Sequence, residues 1–229
     1  MQLHEVEGVL AQVCARAVGP GAERVERVGV GDVRVGTPTH LRRDGQLGSA
    51  RGTLREELAE ALTAIARPNV ATVQIVFNVF RRQPLERVLP AAVAAGVGVI
   101  ARVPLASGLL SGKYDASTVF AATDHRSYNR HGEAFDVGET FAGVPFEVGL
   151  DAVEELRPLV PEGATLAQLA LRWILMHPAV TTVIPGARSP EQARGNAAAA
   201  ELAPLDEATM REIARVYEER IAPHVHQRW

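Results

Sequence analysis

The alternation of strand-like and helix-like segments after residue 70 is the feature that most restricts the fold. Three short runs of β-branched and apolar residues, at 73–77, 97–103 and 181–184, have the composition of buried strands. Segments with apolar residues at helical spacing accompany them, at 85–95, 150–159, 165–177, 190–200 and 205–221. This order predicts an α/β fold of parallel βα units. In such units, ligand-binding loops lie at the carboxyl ends of the strands.

The segment from Thr182 to Asn196 joins the third strand to a helix and has the pattern of an anion site. The strand stops at a Pro-Gly pair, after which Ser189 fits the N-cap of a helix and Pro190 its first position. Backbone N–H groups and the helix dipole favour an anion there, and Arg188 adds a positive charge. We expect phosphate, and hence a nucleotide cofactor. A solvated surface charge is the alternative interpretation of Arg188.

Composition argues against several classes of function. The 229 residues carry a net charge of −3 and one cysteine, which predicts a reducing, cytoplasmic setting without an internal disulfide. No apolar run approaches the roughly 20 residues that span a membrane, and no secretory signal is visible. The basic residues Arg42, Arg43 and Arg51 are too few for a nucleic-acid interface. His224 and His226 lack further ligands, so we expect no membrane, nucleic-acid or metal partner.

Four stretches of the sequence carry a more specific pattern: TVQIVFNVF (72–80), VGVIARVPLASGLLSGKYD (97–115), DHRSYNRHGEAF (124–135) and VIPGARSPEQARGNAAAAEL (183–202). Together they resemble one known family, the aldo-keto reductases. The resemblance covers residues 70–222 and corresponds to the second half of that family's (β/α)8 TIM barrel. It implies one partial barrel domain over residues 1–229, whose open strand edges could let copies self-associate. It also implies hydride transfer between NADPH and a small aldehyde or ketone, without a metal.

Two residues match the part of the family's site that holds the nicotinamide. Gln74 resembles the glutamine that bonds the carboxamide, and a bond to a neighbouring loop is its alternative role. Arg102 stands where many members stack a Tyr or Trp on the nicotinamide, and a guanidinium plane can also stack on a ring. Pairing with an Asp or Glu across the barrel mouth is the other interpretation of Arg102.

Further matches follow the cofactor from its phosphates to its adenosine. The loop that the resemblance assigns to the pyrophosphate consists of Pro104, Leu105, Ala106 and Ser107. Lys113 and Arg126 resemble basic residues near the phosphates, with plain surface charges as the alternative. The residues that match the adenosine end are Gly186, Arg188, Gln192 and Asn196. The resemblance assigns Arg188 to the 2′-phosphate and so implies NADP(H) as the cofactor.

Catalysis in this family uses a Tyr as general acid, supported by a Lys, an Asp and a His. The first residues, MQLHEVEG, resemble the fourth barrel strand, so that His4 matches the histidine. The other three residues find no match, because Tyr114, Tyr128 and Tyr217 do not lie in a corresponding context. We expect the first three strands of the barrel to be missing from this sequence.

The segment 11–55 departs from the family pattern. It is rich in Gly, Val and Arg and has no clear element until a predicted helix begins at Thr53 and ends before Pro68. A shifted reading frame is our hypothesis for this composition. Three functions therefore remain open: an active NADP(H)-dependent reductase, an inactive NADPH-binding fragment or regulatory subunit, and a pseudogene product.

Overall fold

A three-stranded parallel sheet organises the computed structural model, which describes residues 54–228. The strands are β1 (Thr72–Val76), β2 (Gly98–Arg102) and β3 (Val180–Val183), in the order β1-β2-β3. All three lie within one residue of their predicted bounds, and their parallel pairing confirms the predicted βα architecture. His4 and almost all of segment 11–55 fall outside the described residues.

Helices flank the strands as the sequence predicts. Those of eight or more residues in the described part are α1 (Leu54–Ile65), α2 (Val88–Ala95), α3 (Phe146–Leu156), α4 (Leu166–Leu175), α5 (Pro190–Ala198) and α6 (Glu207–Val216). Local signals set their ends: Thr165 and Gln168 form the predicted capping box of α4, and Gly96 closes α2 with a φ of 66°. After α6 the chain continues through a π turn, Tyr217–Ile221. Across residues 54–228, no helix is long and apolar enough to cross a bilayer.

The two faces of the sheet differ in exposure. One face packs against α1, α2 and α4 and is buried, with side chains from Val73, Ile75, Val99, Ala101 and Val183. On the other face Gln74 and Ile184 are exposed, and Ile100 and Thr182 are half-buried. Among the described residues, β1 and β3 each pair along one edge only. Within residues 54–228 the packed helices lie on the first face, and we call the second one, with Gln74, Ile100 and Thr182, the helix-free face. It is the face that forms the interior of a (β/α)8 barrel, of which this sheet is a part.

The connection from β2 to α3 contains more structure than the predicted loop over 107–145. It includes short helical turns at Ala106–Ser111, His125–Tyr128, Val137–Glu139 and Phe141–Gly143. Five of its non-glycine residues have left-handed backbone conformations, with φ between 47° and 59°: Val103, Ala106, Ser107, Phe141 and Ala142. Such conformations cost about 1–3 kcal/mol each and persist only where the surroundings hold them. This connection leaves the carboxyl end of β2, where the sequence places a ligand site.

Candidate cofactor site

Arg102 is the last residue of β2, and two carboxylates hold its guanidinium. Nη1 and Nη2 donate to the two carboxylate oxygens of Glu139 at 3.0 Å each, and Nη2 also donates to Glu57 Oε1 at 3.1 Å. Burial opposes the positive charge, but the bonds with Glu139 and the charges of both glutamates outweigh it and raise the pKa of Arg102. The structure thus agrees with the interpretation that Arg102 pairs with acidic residues at the strand ends.

A second arginine completes a cluster of four charges. The chain reverses after β1, where Asn78 and Arg81 pair through their backbones. Arg81 Nη2 then donates to Glu57 Oε2 at 2.8 Å and Nη1 to Gly138 O at 3.4 Å. The Arg81 side chain is only 3% exposed, and burial lowers its pKa to about 10 although Glu57 and Glu139 favour the charge. We call Glu57, Arg81, Arg102 and Glu139 the strand-end charge cluster.

The loop assigned to the pyrophosphate is tied to this cluster. It begins directly after Arg102 with Pro104, Leu105, Ala106 and Ser107, and Pro104 and Ala106 are buried. Ser107 Oγ donates to Glu139 O at 3.2 Å and accepts from the N–H of Phe141 at 3.1 Å. These bonds hold the left-handed backbone of Ser107 beside a second left-handed turn at Phe141 (φ 52°). The chain's own contacts therefore fix the shape of the loop.

Arg126 lies against the same loop, but its charge is already matched. Its Nη2 contacts Asp124 Oδ2 at 2.5 Å, its Nε donates to Asp124 Oδ1 at 2.9 Å, and its Nη1 donates to the Tyr114 hydroxyl. The hydrogen bonds from Arg126 hold the pKa of Asp124 well below its usual range. Lys113 differs, because its side chain is exposed and has no ion-pair partner within residues 54–228. Of the two predicted phosphate contacts, Lys113 is the one with an uncompensated charge.

The turn between β3 and α5 has the predicted strand–turn–helix form. Ser189 caps α5 by accepting from the N–H of Gln192 at 3.3 Å, and Pro190 is the first helical residue. Two predicted adenosine contacts hold the turn: Gln192 Oε1 accepts from the N–H of Arg188 at 2.7 Å, and Asn196 Nδ2 donates to Gly186 O at 3.3 Å. The Arg188 side chain is exposed, with no ion-pair partner in the described part of the chain. An unpaired cation therefore stands beside a capped helix start.

The structure distributes the predicted residues along one edge of the sheet. Arg102, the 104–107 loop and Arg126 are joined by hydrogen bonds, while Gly186, Arg188, Gln192 and Asn196 form a separate group at the end of the adjacent strand β3. Gln74 lies within β1 rather than at its end, and its side chain is exposed on the helix-free face. That face is also the one on which Arg102 lies, because Val76 is the register partner of Arg102.

Three residues of the strand-end charge cluster were not singled out by the sequence. Glu57, Arg81 and Glu139 meet Arg102 or each other across separations of 24 to 45 residues, which local patterns do not encode. The one available signal was Arg102 itself, a charge at the end of an apolar strand that requires an acidic partner. Between residues 54 and 228, no three His, Cys, Asp or Glu side chains group as metal ligands.

The sequence profile of the Aldo/keto reductase family matches residues 53–218. An uncharacterised oxidoreductase of Mycobacterium bovis is 35% identical over 172 residues, which is 69% of this chain and 46% of that protein. A probable voltage-gated potassium channel subunit beta of Arabidopsis thaliana is 33% identical over 136 residues, covering 56% and 38%.

Among solved structures, a glycerol dehydrogenase from Gluconobacter oxydans superimposes with a TM-score of 0.54 and 28% identity over 68% of this chain and 43% of the other. The chain thus spans less than half the length of these relatives. The profile match over most of the sequence, with the parallel sheet and the site at its carboxyl edge, identifies the chain as a member of the aldo/keto reductase family.

Proposed function

We propose that this chain provides the NADP(H) site of an oxidoreductase that acts on a small aldehyde or ketone. The turn between β3 and α5 is the observation that carries the proposal. Arg188 is exposed and unpaired within the described residues, and it lies at the start of a helix whose dipole favours an anion. The 2′-phosphate distinguishes NADP(H) from NAD(H), and we assign Arg188 to it.

The remaining residues fit the other parts of such a cofactor. Lys113 offers an ammonium group with no ion-pair partner among the described residues, and it lies six residues after Ser107, the last residue of a loop held in a fixed conformation. These features suit a pyrophosphate. Gln74 presents an exposed amide on the face shared with Arg102, which suits a carboxamide and its adjoining ring. Gln192 and Asn196 would act mainly by holding the turn, since both already bond to it.

The reaction needs a hydride and a proton. The reduced cofactor, when bound, supplies the hydride to the carbonyl carbon, and a proton donor must reach the carbonyl oxygen to give the alcohol. Two of the three tyrosines are engaged elsewhere: Tyr114 Oη is 3.4 Å from Ser107 O and lies against Arg126, and Tyr217 Oη is 2.9 Å from His226 Nδ1. The third, Tyr128, is exposed and does not lie in the context of the family's catalytic tyrosine. We therefore expect a proton donor outside residues 54–228, and His4 matches the family's supporting histidine, not its general acid.

Cofactor binding without turnover is the second candidate. It is favoured by the engaged hydroxyls of Tyr114 and Tyr217, and by the relative that is named as a probable channel subunit rather than an enzyme. In that case the site would report the cofactor's state to a partner instead of reducing a substrate.

Titration with NADPH and NADH, followed by cofactor fluorescence, tests the proposal. We expect NADPH to bind, and Arg188→Ala to weaken it about ten-fold with little effect on NADH, because only NADPH carries the 2′-phosphate. The matched control is Arg194→Ala, which removes an exposed arginine of α5 that pairs with Glu191 at 3.3 Å. No binding of either cofactor would overturn the proposal. Turnover of an aromatic aldehyde by the NADPH-bound protein then separates the enzyme from the binding protein.

A further inference from the structure

The geometry points to Glu139 as the residue that sets the preference of the site between oxidised and reduced nicotinamide, by cancelling the charge of Arg102. This inference rests on the proposed function, which puts the nicotinamide against Arg102. It concerns a property that the family resemblance does not supply, because aromatic rings commonly occupy the position of Arg102 and need no counter-ion.

The placement of the cluster supports the inference. In the β1–β2 register Gln74 is opposite Ile100 and Val76 is opposite Arg102, so Gln74 and Arg102 share one face at positions two residues apart. The Arg102 and Glu139 side chains remain 27% and 31% exposed, whereas Arg81 behind them is 3% exposed. Arg102 and Glu139 therefore border the helix-free face, where a ring bound near Gln74 would meet them.

The bonding of Arg102 shows why Glu139 is the relevant carboxylate. Glu139 takes both terminal nitrogens of Arg102 in a two-bond fork at 3.0 Å, whereas Glu57 takes one bond at 3.1 Å and is shared with Arg81. With its fork occupied in this way, Arg102 has few donors left for a substrate carboxylate. Arg102 would therefore act on a bound nicotinamide ring mainly through its positive charge. The negative charge of Glu139 determines how much of that positive charge is left uncancelled.

Charge balance discriminates between the two forms of the cofactor. The nicotinamide ring is neutral in NADPH and carries one positive charge in NADP⁺, so a bare guanidinium repels only the oxidised form. The two glutamates and two arginines of the strand-end charge cluster cancel formally. Removing the charge of Glu139 leaves the cluster at +1 and penalises NADP⁺. Removing the charge of Arg102 leaves it at −1 and favours NADP⁺.

The test is a pair of dissociation constants, for NADP⁺ and for NADPH, measured by calorimetry on each folded variant. We expect Glu139→Gln to raise the NADP⁺/NADPH ratio of dissociation constants about ten-fold, and Arg102→Met to lower it. Glu139→Asp keeps the charge and should keep the ratio near that of the parent protein. The control for net charge is Glu154→Gln, which removes a 63% exposed glutamate of α3. If Glu139→Gln fails to fold, Glu57→Gln replaces it, with the same direction expected.

The ratio of the two dissociation constants distinguishes a change in charge balance from a disturbed 104–107 loop. Glu139 O also accepts from Ser107 Oγ at 3.2 Å, so a disturbed loop would weaken both forms of the cofactor equally and leave the ratio unchanged. An unchanged ratio in Glu139→Gln, or a shift in the same direction in Arg102→Met, overturns the inference while leaving the proposed cofactor site intact. A parent protein that binds neither form overturns the proposed function and the inference with it.

Discussion

Arg81 and Arg82 are neighbours in the chain, and the structure stabilises them in two different ways. Arg81 donates to the Glu57 carboxylate at 2.8 Å within the strand-end charge cluster. Arg82 lies over the rings of Trp173 and Tyr217, 4.8 Å from each centroid. Burial lowers the pKa of each arginine to about 10. Two buried guanidinium groups are thus stabilised differently, that of Arg81 by a carboxylate and that of Arg82 by aromatic rings.

The two environments belong to different parts of the molecule. The arginine of the charge cluster joins loops at the carboxyl edge of the sheet, where the candidate site lies. The second arginine joins packed helices through what we call the aromatic cluster: Phe77, Arg82, Trp173, His177 and Tyr217. Charge pairing here joins the loops around the candidate site, whereas ring packing joins helices.

Replacing the two arginines in turn should give the largest effects and test this comparison. Arg81→Met removes the bonds to Glu57 and Gly138 O and leaves the two glutamates of the cluster with one arginine between them. We expect this unbalanced negative charge to cost about 3 kcal/mol in the free energy of unfolding. Arg82→Met removes the bonds to Val79 O and Ile213 O, but its apolar chain can still pack against the rings. Ile213 O keeps the N–H of Tyr217 as a donor. We expect it to cost about 1–2 kcal/mol. Urea denaturation measures both.

Arg188→Met is the control for removing an arginine, since that side chain is exposed and should cost less than about 0.5 kcal/mol. Equal losses from Arg81→Met and Arg82→Met would contradict the distinction between charge pairing and ring packing.

The next effect should come from lowering the pH, which should reduce the free energy of unfolding through His177 of the aromatic cluster. Burial, and to a smaller extent the charge of Arg82, lowers the pKa of His177 from 6.5 to about 4. Neutral His177 therefore gives its full stability above pH 6.5, and stability falls as the pH drops from 6.5 towards 4, because the unfolded chain takes up the proton first. We expect a loss of about 2 kcal/mol between pH 6.5 and pH 5.

The measurement is a series of urea melts of the parent and His177→Phe over this pH range. Phe also removes the buried Nε2, which has no hydrogen-bond partner within residues 54–228. The variant should lack the slope, whereas His131→Gln, at an exposed histidine, should keep it. Parallel curves for the parent protein and His177→Phe would show that His177 does not carry the titration.

Elements with local signals could be predicted from the sequence. The strands follow from β-branched runs, and the starts of α4 and α5 follow from Thr165 with Gln168 and from Ser189 with Pro190, because a cap and its helix lie within four residues. The position of the candidate site is a prediction from the parallel βα order, which puts ligand-binding loops at the carboxyl edge of the sheet. Its residue list came from the family resemblance.

Long-range pairing could not be predicted in this way. Glu57, Arg81 and Glu139 are ordinary charges in the sequence and become partners only when the loops after β1 and β2 are folded together. The exposure of Gln74 was also hidden, since a polar residue in an apolar strand gives no indication of which face it occupies until the register is known.

A smaller effect on the free energy of unfolding should come from the Ser107 hydroxyl, which joins the 104–107 loop to Glu139 of the strand-end charge cluster. Ser107→Ala removes the bonds to Glu139 O and from the Phe141 N–H and should cost about 1 kcal/mol. Ser107→Gly loses the same bonds, but glycine adopts a φ of 54° without strain. We therefore expect the glycine variant to recover most of that loss in urea denaturation. A glycine variant less stable than the alanine variant would argue that the left-handed backbone is unstrained.

The smallest effect on the free energy of unfolding should come from Asp124. Its pair with Arg126 titrates at lower pH than His177 of the aromatic cluster, so the two regions should lose stability in different pH ranges. Hydrogen bonds from Arg126 lower the pKa of Asp124 below its usual 3.8, so its contribution is complete above that pH and is lost as the pH falls further. Because the pair is partly exposed, we expect less than about 1 kcal/mol, and less still at high salt. Stability curves for Asp124→Asn should flatten only below about pH 4, and those for Asp151→Asn, an exposed α3 carboxylate, should not. The loss between pH 6.5 and pH 5 would then belong to His177 in the aromatic cluster, and a flattening of the Asp124→Asn curve in that range would contradict this division.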